Sequence, residues 1–200
     1  MIILGIDPGI AIVGWGVLSY DGINKFNPLA YGSITTKAGL SVEERLYQVY
    51  TALTEIIEEY KPDCMSIEEL FWNTNQKTGI VVAEARGCIL LCARQHGLPI
   101  FEYTPLQVKQ AIVGYGRAEK KQVIMMVTSF LGLKEAPKPD DTADALAAAI
   151  CHGHAAPGKE RMKKYEEALS QKNAQQIKKA QSTKNRWEQL IEDYEKGVKR

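Results

Sequence analysis

The eleven residues Asp140–Ile150, DDTADALAAAI, constrain the fold of this chain more than any other stretch. From Ala145 to Ile150 every residue is apolar, so no side of the helix they form suits water and the helix must be enclosed on most sides. Yet it opens with three aspartates in five positions. Carboxylates are favoured in a first turn, where they meet free N–H groups and the positive end of the helix dipole, and Pro139 suits a helix start. That accounts for Asp140 and Asp141, and less well for Asp144, a full turn in. Asp141 and Asp144 are spaced i, i+3, which puts their side chains on one face about 5–6 Å apart. Two such anions repel unless a cation or water lies between them, so the pair is a candidate divalent-metal site that needs partners elsewhere.

The rest of the pattern is alternating strand and helix. IILGIDPG reads as a short buried strand closed by a turn at Pro8–Gly9. AIVGWGVLSY and PLAYGSITT read as strands joined by the turn-rich DGINKFN, and three adjacent strands with short links predict an antiparallel meander. The segment Ser41–Tyr60 opens with a capping-box pair, Ser41 and Glu44. It repeats apolar residues at Leu46, Val49, Leu53, Ile56 and Ile57, which predicts a helix. DCMSIEELF reads as a strand after the Pro62 break, 76–96 as a long helix and PIFEY as a short strand. Helices are expected at 105–112, 119–131 and 139–155. This order argues for an α/β layer fold with a mixed sheet.

No apolar run approaches the roughly 18–20 residues that span a bilayer, and MIILGI has no basic residues before it as a signal peptide would. A cytoplasmic protein with no membrane association is expected. Cys64, Cys88, Cys92 and Cys151 show no C-x-x-C spacing, and CHGH at 151–154 lacks a second ligand pair, so free thiols are expected rather than a disulfide or zinc. The net charge of +1 hides an asymmetry: residues 157–200 carry twelve Lys/Arg against seven Asp/Glu, which leaves the remainder mildly acidic. Pro157–Gly158 marks the expected boundary between a domain over 1–156 and a basic C-terminal extension over 157–200, helical or partly disordered. In the extension, Trp187, Leu190, Ile191 and Tyr194 share one helical face.

Functional residues of parallel α/β sheets gather at the carboxyl ends of strands. Asp7 closes the first strand, and Glu68 closes the strand after the first long helix. If those strands are neighbours, both carboxylates emerge together and the helix bearing Asp141 and Asp144 can complete the set. Four hard oxygen donors suit Mg²⁺ or Mn²⁺, and two ions about 3.5–4 Å apart would serve phosphodiester hydrolysis. On its own, Asp7 reads rather as the first residue of an Asp-Pro-Gly turn.

The motifs GIDPG with GWGV, SIEELF, EARG, FEYTPLQVKQAIVGYGRAEKKQV and DDTADALAAAI, in this order from about residue 2 to 155, resemble the RuvC family of Holliday junction resolvases. The resemblance implies a ribonuclease H-like fold, a mixed five-stranded sheet with helices on both faces, followed here by the C-terminal helical extension. It implies a homodimer that nicks four-way junction DNA symmetrically in recombination and repair, with Mg²⁺ (Mn²⁺ as substitute), two ions per site. A branch-migration helicase complex is the expected further partner. It places the metal-binding catalytic acids at Asp7, Glu68, Asp141 and Asp144, choosing Asp141 over Asp140 and Glu68 over Glu69. It also places Lys109 and Lys120 near the scissile phosphate, Lys120 as a catalytic group. Phe71 matches an aromatic that wedges into the junction crossover.

Beside that resemblance, Lys109, Arg117, Lys120 and Lys121 surround Gly114 and Gly116, which allow a tight turn and a close approach to a phosphate. Read from composition alone, this is equally a solvated loop between two helices. Phe71 and Trp72 follow the Glu68 strand in a polar loop, where an exposed ring could stack on a base; Trp72 could instead cover the core. Asn73 and Asn75 are candidate DNA contacts. The helix over 76–96 is apolar on more than one face, at Ile80, Val81, Val82, Ile89, Leu90 and Leu91, with Ala83 and Gly87 permitting close approach. A two-fold partner or the C-terminal segment would cover it. The alternative reading is another ribonuclease H-like nuclease acting on RNA or non-junction DNA. An actin-like ATPase, which shares an Asp-x-Gly turn, needs a duplicated domain, and the chain shows no repeat.

Overall fold

Ile3, Leu4 and Ile6 have no solvent exposure, because their strand, β1 (Ile2–Asp7), is bordered on both edges and covered on both faces. Antiparallel β2 (Ile12–Tyr20) lies on one edge, with β3 (Phe26–Thr35) beyond it, completing the expected meander. Parallel β4 (Cys64–Glu68) lies on the other edge, followed by parallel β5 (Ile100–Tyr103). The order β3-β2-β1-β4-β5 is the mixed sheet that the strand and helix pattern predicts, with the five strands and ribonuclease H-like order that the family resemblance implies. The computed structural model describes residues 1–23, 25–70 and 76–155, the side chains of 76–78 excepted. The expectations on Phe71, Trp72, Asn73, Asn75 and the 157–200 extension lie outside the described residues.

Two boundaries differ from the sequence reading: β4 ends at Glu68 rather than running on through Leu70, and β3 begins earlier. β3 starts at Phe26, two residues before Pro28. Pro28 is tolerated because β3 is an edge strand and the register with β2 shifts beside it, Val17 pairing with Ala30 but Leu18 with Pro28. Beyond the shift, Tyr20 and Phe26 pair, and their rings stack with centroids 4.6 Å apart.

Helices cover both faces. On one lie α1 (Val42–Tyr60) and α2 (Gln76–Gln95), which bury Val49, Leu53, Ile56, Ile57, Ile89 and Cys92 against Leu4, Ile6, Met65 and Ile67. Ser41 caps α1, its hydroxyl accepting from the Glu44 N–H. The outer side of α2 stays open: Ile80 and Leu91 are more than half exposed, and a methyl group at Gly87 would meet nothing. On the opposite face lie α3 (Pro105–Val113), α4 (Lys120–Phe130) and α5 (Asp140–Ala155). Every residue of α5 from Ala145 to Gly153 is buried, between the sheet on one side and Val108, Ile112, Val123 and Val127 of α3 and α4 on the other. This is the enclosure that its apolar circumference demands. All four cysteines are free thiols, and no helix of the described residues is long and apolar enough to cross a membrane.

The contact between α5 and β1 is backbone-close. A Cβ on Gly5 would overlap the Ala145 carbonyl and sit 2.8 Å from the Ala149 methyl. We expect Gly5→Ala to lower the unfolding free energy in urea by about 3 kcal/mol. Gly39→Ala, which meets open space, should change it by less than about 0.5 kcal/mol. Near the end of α5, His152 is fully buried, its Nδ1 2.8 Å from the Tyr103 hydroxyl. Burial holds its pKa down at about 4. The unfolded chain therefore takes up this proton first as pH falls, so the contribution of His152 to stability is complete above about pH 6.5 and drains away towards pH 4, by up to roughly 3 kcal/mol. The difference in melting temperature between wild type and His152→Gln, measured from pH 7 to 4, should reverse or shrink across that window.

Candidate active site

Strand alternation decides which carboxylates can meet. In β1, Leu4 and Ile6 face α1 and α2, whereas Ile3 and Gly5 face α5; Asp7 continues the second series. In β4, Met65 and Ile67 face α1 and α2. Cys64 joins the core beneath α5, and the Ser66 hydroxyl donates to the Ala148 carbonyl of α5 at 2.7 Å. Glu68 is next in that series. Ile6 pairs with Ile67 in the parallel register, so Asp7 and Glu68 leave neighbouring strand ends on the same face.

The start of α5 is brought down onto this point by β2 and β3. Gly14, the antiparallel partner of Asp7, has no side chain, and a Cβ there would overlap the Asp141 carbonyl. The Thr142 hydroxyl donates to the Gly32 carbonyl at 3.1 Å. The first turn of α5 therefore delivers Asp141 and Asp144 to the end of β1.

The electrostatics record the convergence. Burial pushes the Asp7 carboxyl up to about 8, reinforced by the carboxylates of Asp144, Glu68 and Asp141 and opposed by Lys120. Glu68 is pushed up to about 7 by burial and by Asp144, against Lys109 and Lys120. Burial also raises Asp144, against a hydrogen bond from Lys120. The Lys120 ammonium lies 2.9 Å from Asp144 Oδ2 and 3.7 Å from Asp140 Oδ2. Burial works against the Lys120 charge, but these aspartates outweigh it and hold the group protonated above its usual range. Glu69 lies just past the strand, its N–H donating to the Tyr103 carbonyl, and is not among the charges that act on Asp7.

Lys109 on α3 is half-buried and reaches Glu68 through its charge. Arg117 and Lys121 are exposed in the α3–α4 turn and the first turn of α4. Gly114 ends α3 at a φ of 88°, the left-handed conformation that glycine accommodates. The sequence reading did not foresee Asp140 as a second partner of Lys120. Its only signal was the choice it left between neighbouring aspartates.

Among the described residues no three His, Cys, Asp or Glu side chains form a ready metal cage; the cations that act on the cluster are Lys120 and, at Glu68, Lys109. The donor set nevertheless suits a hard divalent ion. It is all carboxylate oxygen, gathered at one strand end and carrying more negative charge than one ammonium balances.

This architecture has known relatives. A family model described as crossover junction endodeoxyribonuclease RuvC matches residues 3–152. A crossover junction endodeoxyribonuclease RuvC from Alkaliphilus metalliredigens (strain QYMF) is 58% identical over 154 residues, spanning 77% of this chain and 93% of the relative. Its counterpart from Clostridioides difficile (strain 630) is 57% identical, over 77% and 90%. Among solved structures, Thermus thermophilus RuvC in complex with a Holliday junction substrate is similar with a TM-score of 0.75 and 37% identity, over 78% of this chain and 94% of that one. The matched span runs from β1 through α5 and includes every carboxylate of the cluster, and on these grounds the chain belongs to the RuvC family of crossover junction endodeoxyribonucleases.

Proposed function

We propose that this protein is the endonuclease that resolves four-way DNA junctions, hydrolysing one phosphodiester in each of two strands at symmetric points. The observation that carries this is the meeting of Asp7 and Glu68, on adjacent parallel strands, with Asp141 and Asp144 of α5. The Thermus relative supports the choice of substrate, since it binds a Holliday junction.

In this reading Asp7, Glu68, Asp141 and Asp144 hold Mg²⁺, with Mn²⁺ as substitute and two ions per site. The bound metal would activate a water and stabilise the charge that develops on the leaving oxygen. The chain's own contribution is placement. Asp7 and Glu68 are presented from a rigid sheet, and Asp141 and Asp144 from a helix seated on it. Lys120 and Lys109 flank the cluster and attract the phosphate that the carboxylates would otherwise repel; Lys120 adds positive charge where the transition state gathers negative charge. Arg117 and Lys121 extend the basic surface along the backbone. Phe71, Trp72 and Asn75 are assigned to the junction, with Phe71 at the crossover.

Symmetric cutting calls for two sites. The open stripe of Ile80, Gly87 and Leu91 on α2 is the surface we assign to a homodimer. The 157–200 extension is assigned as a basic appendage to the 1–156 domain, and a branch-migration helicase as the partner that delivers the junction in the cytoplasm.

Incubation with a synthetic four-way junction and Mg²⁺ should give paired nicks at symmetric positions. Asp7→Asn and Asp144→Asn should each cut about 10²–10³-fold more slowly; equal activity on linear duplex or RNA would favour the alternative nuclease reading. Light scattering should show a dimer that Leu91→Glu converts to a folded monomer. Because Asp7 and Glu68 keep their protons when folded at pH values where the unfolded chain has lost them, these two acids should take stability from the metal-free protein as pH rises from about 4 to 8, a loss that Asp7→Asn should reduce. Metal binding releases those protons, so Mg²⁺ should raise the melting temperature more at pH 8 than at pH 6.

A further inference from the structure

Lys120 is in an unusual place for a lysine. It is the first residue of α4, at the helix end where the dipole is positive and a cation is disfavoured. The helix does not need it there, since the Gln122 side chain already caps the terminus by accepting from the Glu119 N–H. What the ammonium gains is a pair of anions on another helix: Asp144 at 2.9 Å and Asp140 at 3.7 Å. Those two aspartates are spaced i, i+4 and so lie on one face of α5, a turn apart. They differ in setting. The Asp144 side chain is 23% exposed and that of Asp140 is 61% exposed. Asp144 acts on both Asp7 and Glu68, whereas Asp140 acts on neither.

We propose that Lys120 fills the cation position beside Asp144 in the metal-free protein and passes to Asp140 when a divalent ion takes Asp144. The inference rests on the metal reading of the site given above. An ammonium and a divalent ion repel at contact range, so both cannot share the same Asp144 oxygen. Asp140 supplies a second anion outside the set that surrounds Asp7, within reach of a lysine that need only lean back one helical turn. The handover leaves the ammonium beside the site, free to meet a phosphate, and keeps it from drifting into solvent. Asp140 is then a positioning residue that acts through Lys120, and the ion pair protects an otherwise self-repelling cluster until metal arrives.

The test measures Mn²⁺ binding to the full chain from the electron paramagnetic resonance signal of free Mn²⁺, which needs no catalysis. Lys120→Met, with Lys120→Gln as a second variant, should bind Mn²⁺ about three- to tenfold more tightly than wild type, because the ion no longer displaces a competitor. Lys109→Met removes the other nearby cation without breaking a direct bond to Asp144, and should tighten binding by less than about twofold. Asp140→Asn should leave Mn²⁺ affinity within about twofold of wild type, whereas Asp141→Asn weakens it. In junction cleavage at saturating Mn²⁺, Asp140→Asn should slow turnover, and adding it to Lys120→Met should slow turnover no further. Unchanged or weaker Mn²⁺ binding by both Lys120 variants overturns the proposal. So does equal tightening by Lys109→Met, which would make the effect one of general charge, or weakening by Asp140→Asn as large as that of Asp141→Asn, which would make Asp140 a ligand. A wild-type chain that binds no Mn²⁺ at all refutes the metal reading itself and takes the handover with it.

Discussion

The seating of α5 on β1 and β2 is the constraint on which core and site both depend. Gly5, Gly14 and Gly16 present bare backbone to Ala145, Ala149, Asp141 and Leu146, and a Cβ at any of the three glycines would collide with α5. The alanine-rich helix can therefore lie closer to the sheet than larger side chains would allow, which suits an element that must be buried all round. The same closeness sets the height of Asp141 and Asp144 above Asp7. A lifted helix would lose apolar contact along its length and withdraw its acids from the strand end together. Packing and chemistry share one interface, so substitutions in the glycine–alanine contact should affect both at once.

That closeness has an electrostatic cost. Four carboxylates are drawn to one half-buried spot, and burial and mutual repulsion push Asp7 and Glu68 towards neutrality. In the metal-free chain the relief comes from protons on those two acids and from the Lys120 ammonium on Asp144. The cluster is thus a site where stability is given up to concentrated local charge, as is common where function and folding compete.

Much of this was legible in the sequence, for definable reasons. Period-two alternation puts Asp7 in the series of Ile3 and Gly5 and Glu68 in the series of Cys64 and Ser66, and it is read from IILGID and CMSIE; that the two strands are parallel neighbours is a condition that only the sheet meets. The helices announced themselves through caps and apolar spacing, as in Ser41–Tyr60 and in α5. The start of β3 was not legible, because Pro28 reads as a strand boundary unless its edge position and the register shift are known. The Lys120–Asp140 contact was also out of reach. It joins helices whose approach is fixed by the packing of Val123 and Val127 against α5, which no local pattern encodes. The outward stripe of α2 was visible as an excess of apolar residues, but which of them stay exposed depended on how the helix rolls onto the sheet.

The accuracy with which α5 presents its acids comes from groups that take no part in the chemistry. Thr142 ties the first turn to the Gly32 carbonyl, Ser66 reaches the Ala148 carbonyl in the middle, and Tyr103 meets His152 near the end. Each bond is worth only about 1 kcal/mol net, but they come from three different strands. A helix whose apolar surface is nearly uniform could otherwise slide or roll with little loss of burial, since one alanine replaces another at the same depth. Polar contacts at defined points remove that freedom: a shift by one residue would leave a buried hydroxyl or carbonyl without its partner, at a cost of about 1–3 kcal/mol each. Thr142 lies between Asp141 and Asp144, so the register that its hydroxyl enforces is also the register of the site.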